Sequence, residues 1–290
     1  MDILTNLLTE HYNATIVFMA TALLGLSAGL VGCFLVLRKQ ALISDAVTHA
    51  TLPGIGIGFI LSLQLGLNDG KFLPLLLLCS AATAYLGARS VQYITNNTRL
   101  SPDTAIASVM SFFYGLGLLL LSIIQNIDAG NKAGLNSFLL GQVSGLRIDN
   151  LILLGAVSLI VVCLVILNFK NLRLLCFDKN YASLLGLKIK ATENLLLLLM
   201  ILVICTGLKT VGLIMIIALL IIPAITARLW TDRSEIMAAL AAFFGAISCI
   251  GGVYISSALY DLPTGSTIVL FAFSLFTVSL IIRIIRGTNV

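Results

Sequence analysis

Charge is what this sequence has least of. Only 10% of its 290 residues are charged, against roughly 25% in a typical soluble domain. So few charges cannot cover a water-facing surface, and no stretch is polar enough to fold as a separate soluble unit. Residues 1–290 therefore read as a single membrane domain. Other absences narrow the function. The six cysteines include no CxxC pair, which excludes a disulfide or zinc framework and leaves them as small core residues. No GxxxxGK[ST] phosphate loop occurs, so the chain is not expected to hydrolyse ATP itself. Neither GxSxG nor HExxH is present, which argues against a hydrolase or protease. The net charge of +5 needs no nucleic acid to explain it.

What is present is apolar length. Hydrophobic residues make up 59% of the chain, and about 20 of them in a row cross the hydrocarbon of a bilayer. Nine stretches qualify: 14–37, 43–66, 72–94, 103–125, 149–169, 193–208, 211–230, 236–258 and 265–284. The sixth and seventh are divided only by Lys209 and Thr210, so they form either a tight hairpin or one long broken helix. The first lacks the basic flank and cleavage site of a signal peptide. Lys and Arg set the orientation. With the N-terminus outside, thirteen fall on the cytoplasmic side and only Lys71, Lys132, Arg147 and Lys209 outside, a clear positive-inside bias. The C-terminus is then cytoplasmic. Residues 126–148 form an external segment that predicts a surface or re-entrant helix, and 170–192 form the largest cytoplasmic segment.

Against this background, Asp45 and His49 stand out. Four residues apart at the start of the second span, they share one helix face. Ionisable groups inside a span are costly and face a bundle interior or a pathway. A carboxylate and an imidazole suit a divalent transition metal. Spacing alone fits a hydrogen-bonded pair near the interface as well. Pro53, followed by Gly54, predicts an interruption of the same helix, because proline removes a backbone hydrogen bond. The glycines along the first two spans read as helix packing. His11 reads as a solvated residue outside. Ser101, Pro102 and Asp103 read as a helix start, Glu193 as a second such cap, and Asp261 to Gly265 as an external turn. Two side chains cannot complete a metal shell, so any site borrows waters, carbonyls or a second subunit, as suits an ion that must also leave.

Several segments together resemble bacterial ABC-type permeases for manganese, zinc and iron, the ABC-3 family. Asp45 to Gly54 is similar to the DAxSHAxLPG signature, with Thr48 for Ser; Leu37-Arg38 precedes it as in the family. Asp103 to Ile106 resembles a DTAIG-like segment, with Ala107 for Gly. Phe177, Asp178, Ala182 and Gly186-Leu187 are similar to FDPxxAxxxGL, with Lys179 for Pro. Pro223 to Arg228 resembles PAATAR, and Asp261 to Gly265 a DLPxG turn. The resemblance implies an all-α integral membrane protein, a polytopic bundle of about nine helices like a type II ABC importer permease. It implies a homodimeric permease in the lipid of a bacterial cytoplasmic membrane, a separate cytoplasmic ABC ATPase, and an extracytoplasmic metal-binding protein. Asp45 and His49 inherit contact with the transported ion, and no cofactor is permanently bound. The 170–190 segment inherits the ATPase-coupling role, with Phe177, Asp178, Ala182 and Gly186 as its motif positions. Residues 133–142 resemble the manganese/iron-type members more than the strictly zinc-type ones, which leans the expected cargo toward manganese.

Two other classes compete. A secondary transporter needs mid-membrane ionisable residues in pseudo-symmetric halves, and the sequence has neither. An intramembrane metalloenzyme needs a fuller ligand set and a general base.

Overall fold

The computed structural model describes residues 2–66, 72–126, 148–258 and 262–287, and all regular structure among them is helical. In chain order the helices are α1 (Asp2–Leu37), α2 (Ile43–Gln64), α3 (Leu73–Asn97) and α4 (Pro102–Asn126). Then come α5 (Ile148–Leu167), α6 (Phe169–Phe177), α7 (Lys179–Leu184) and α8 (Ile189–Val211). The chain continues with α9 (Leu213–Trp230), α10 (Ser234–Ala258) and α11 (Thr264–Ile285). Eight of these are long and apolar enough to cross a bilayer, and α5 makes a ninth when joined to α6 across a 68° bend. The expected external helix within 126–148 and the turn at Asp261 lie outside the described residues.

Helix is the only solution open to such segments, since lipid offers backbone groups no partner. Buried hydroxyls obey the same constraint. Thr21 bonds the Val17 carbonyl, Thr48 that of Ser44, Thr206 that of Leu202 and Thr226 that of Ile222, each within its own helix. A few hydroxyls cross between helices, such as Ser158 to the Leu23 carbonyl at 2.9 Å and Thr267 to the Gly252 carbonyl at 3.0 Å.

Helix α1 occupies the centre, packed against α10, α9, α5 and α8, while α2 lies between α3 and α4. Glycines set these contacts. A Cβ on Gly25 would run into the Gly245 carbonyl, and one on Gly29 into the Ala241 carbonyl. These pairs run in opposite directions, so α1 and α10 meet antiparallel through two small-xxx-small faces. On α2, Gly54 and Gly58 admit α3, and Gly56 admits α4.

The structure decides between the two readings of 193–230. Helix α8 continues to Val211, past Lys209 and Thr210, and the chain turns at Gly212, whose φ is +85°. Ile216 then packs back against Gly207. Nine residues of straight helix would hold these about 13.5 Å apart, so the connection is a hairpin. The α5–α6 bend falls at Asn168, whose side-chain amide donates to the Leu164 carbonyl at 3.0 Å and competes with the helix ladder. All six cysteines are free.

Ion pairs gather at one end of the bundle. Arg173 of α6 pairs with Glu235 of α10, and Arg283 of α11 donates to the Arg228 carbonyl of α9 at 3.1 Å. Arg173, Arg228 and Arg283 thus share an end.

Replacing Gly29 with Ile should lower stability in detergent by about 2 kcal/mol, the usual scale of overpacking. A thermal or denaturant melt checks this, and an unshifted midpoint would contradict the close α1–α10 contact.

Candidate functional site

Helix α2 begins at a tight corner. Lys39 takes a left-handed conformation with φ +56°, and Gln40 and Lys39 return their N–H groups to Leu35 and Val36 at 2.9 and 3.0 Å. This closes α1 as a Schellman turn does, with lysine where glycine is usual. Three residues later the chain re-enters helix, placing Asp45 in the first turn of α2.

Asp45 and His49 are brought together as their spacing predicts. Asp45 Oδ1 lies 3.3 Å from His49 Nε2. Their side chains are 34% and 21% exposed. Two ligands about 2.1 Å from one ion and about 100° apart would stand roughly 3.2 Å from each other. The observed spacing is longer than the 2.7–2.9 Å of a strong charge-assisted hydrogen bond. The His49 ring is held edge-on by Tyr114 of α4, with centroids 5.1 Å apart and planes at 82°. His49 Nδ1 is buried and has no hydrogen-bond partner among the described residues.

Pro53 and Gly54 are both buried, and α2 runs through them from Ile43 to Gln64. The predicted helix break is therefore corrected to a single missing bond. Pro53 has no N–H to offer the carbonyl four residues back, which belongs to His49. Gly117 of α4 admits this stretch of α2, since a Cβ there would stand 2.6 Å from Leu52 Cβ and 3.3 Å from Pro53 Cδ. Among the described residues, no cluster of three or more His, Cys, Asp or Glu exists.

The second predicted region is a small capped helix. Phe177 ends α6, and Asp178 caps α7, its Oδ1 accepting from the Asn180 and Tyr181 N–H groups at 2.9 Å each. Lys179 occupies the first helical position, where proline is also favoured, so its departure from the family pattern costs no helix. Ala182 is buried, and Gly186, at φ +78°, ends the helix with Leu187 bonding back to the Ala182 carbonyl. Asp178, Ala182 and Gly186 are thus the start cap, the packed face and the stop of one turn-and-a-half helix. Phe177, Tyr181, Leu184 and Leu185 are left exposed, Leu184 by 86%. Of these only Phe177 was singled out in the sequence. A six-residue helix with one buried position must turn its other apolar residues outward, and this was the available signal.

Glu193 is not a helix cap. Helix α8 starts at Ile189, one turn earlier, and the Glu193 carboxylate instead receives Arg38 at 2.7 Å and Lys179 at 2.9 Å. Ser101 does cap α4, accepting from the Thr104 N–H at 3.2 Å.

Residues 10–283 match the ABC 3 transport family. The chain belongs to that family. As an ABC 3 transport family protein it has relatives named as membrane proteins of transport systems. It is 38% identical to the manganese transport system membrane protein MntC of Bacillus subtilis, over 96% of this chain and 62% of that one. The chain thus spans less than two thirds of the length of that relative. It is 36% identical to the zinc transport system membrane protein TroC of Treponema pallidum, over 97% of this chain and 92% of that one. The solved structure of PsaBC from Streptococcus pneumoniae in complex with Fab aligns with a TM-score of 0.78 at 31% identity. That alignment covers 92% of this chain and 90% of the other. The all-helical permease fold of this ABC 3 transport family chain follows from that likeness.

Replacing Gly186 with Ala places a Cβ in the left-handed region, a strain of about 1–2 kcal/mol. Limited proteolysis should cut 178–188 faster while the melting midpoint of the bundle stays put; equal cleavage rates would contradict the cap.

Proposed function

We propose that this chain is the permease subunit of an ATP-binding cassette importer that moves a divalent transition metal, with manganese favoured, into the cytoplasm. The observation that carries the reading is the Asp45–His49 pair. It sets an oxygen and a nitrogen at the bite distance of one ion, on a helix inside a transport-family bundle. The relatives named for manganese and zinc transport support the cargo class. Two protein ligands hold an ion loosely, and the His49 carbonyl, which loses its helical donor at Pro53, adds a polar oxygen to the same stretch of helix. Such a partial shell suits passage, with waters or a second copy of the chain completing it. In this reading the basic end of the bundle is cytoplasmic, the N-terminus lies outside, and the membrane is the bacterial cytoplasmic one.

The exposed apolar residues Phe177, Tyr181, Leu184 and Leu185 around α7 supply the docking surface for a separate ATPase, with the capped geometry set by Asp178, Ala182 and Gly186. An extracytoplasmic metal-binding protein delivers the ion, and two copies of the permease enclose the path.

Uptake of manganese should be measured in proteoliposomes holding the chain and its ATPase. Asp45→Ala and His49→Ala should each lower uptake at least tenfold at equal protein levels; unimpaired uptake in both would remove the site. Uptake that persists with the ATP site of the ATPase inactivated would sink the importer reading.

A further inference from the structure

The Arg38–Glu193–Lys179 cluster joins the two regions assigned above. Arg38 forms the corner between α1 and α2, seven residues before Asp45; Lys179 is the first residue of α7; Glu193 stands in α8 between them. One carboxylate oxygen, Oε1, receives both cations, from Arg38 Nη2 at 2.7 Å and Lys179 Nζ at 2.9 Å.

The two arms are unequal. The Arg38 side chain is only 5% exposed, so opening its pair would strand a desolvated guanidinium. The Lys179 side chain is 53% exposed, and an ion pair so wetted is weak and easily exchanged for water. Space for that exchange is present. A cavity of about 720 Å³ opens beside the cluster, lined by Arg38, Arg89, Asp103, Lys179 and Glu193 among others. We infer that Glu193 is a positioning residue that links the α7 segment to the root of the Asp45–His49 helix. Its arm to Arg38 is permanent and its arm to Lys179 is made and broken as α7 moves.

This inference rests on the importer reading, with α7 as the ATPase contact. Displacement of α7 then changes the charge balance around Glu193 and Arg38, and through the α1–α2 corner it alters where Asp45 and His49 sit. The ion path thereby senses the state of the motor at a site that touches neither the ion nor ATP.

The test uses the full permease–ATPase complex in proteoliposomes, measuring manganese moved per ATP hydrolysed. Lys179→Met leaves the buried Arg38–Glu193 pair intact, so it does not threaten the fold. It should permit assembly and near-normal hydrolysis while lowering the transport-to-hydrolysis ratio at least fivefold. Lys179→Arg should restore the ratio to within twofold of wild type. Arg99→Met removes an exposed positive charge at the same end and should leave the ratio unchanged. A wild-type ratio in Lys179→Met overturns the proposal, as does a parallel fall of transport and hydrolysis or an equal loss in Arg99→Met. If Lys179→Met is normal while Asp45→Ala is dead, the linkage fails and the importer reading stands. If no ATPase associates with the wild-type chain, both fail.

Discussion

Lipid gives a backbone no hydrogen-bond partner, and the rest of this structure depends on that constraint. It forces each apolar stretch into helix and sends the hydroxyls of Thr21, Thr48 and Thr226 back to carbonyls of their own turns. It also removes the ordinary hydrophobic drive between helices, so association rests on close packing. Gly25 and Gly29 meeting Gly245 and Ala241 supply that packing for α1 and α10.

Helix α2 is where the constraint is relaxed. It carries an acid and an imidazole on one face and a proline that leaves the His49 carbonyl without its helical donor. Each feature alone is a modest cost. Together they put three polar features within about two turns of a helix otherwise packed against α3 and α4 through its glycines. Tyr114 packs edge-on against the imidazole and so removes part of its rotational freedom.

The spans and the Asp45–His49 face were legible in the sequence because both rest on local periodicity. A run of about 20 apolar residues admits few other structures in lipid, and an i, i+4 pair on a helix needs no knowledge of the fold. Boundaries were less legible. Lys209 and Thr210 read as a polar break, yet helix absorbs them and the chain reverses at Gly212, where positive φ is cheap. Pro53 suggested a break, yet α2 continues through it, admitted at Gly117. Glu193 looked like a cap because nothing local reveals a partner 155 residues away. Long-range ion pairs have no periodicity, and one sequence cannot disclose them.

The same separation bears on how the protein is made. Arg38 is synthesised 155 residues before Glu193, and at about 5–20 residues per second the interval is roughly 8 to 30 s. For that time the α1–α2 corner stands with an unpaired guanidinium at the membrane edge. A long arginine side chain tolerates this by reaching toward the headgroups. Only when α8 is made, two-thirds of the way along the chain, does the corner gain its carboxylate.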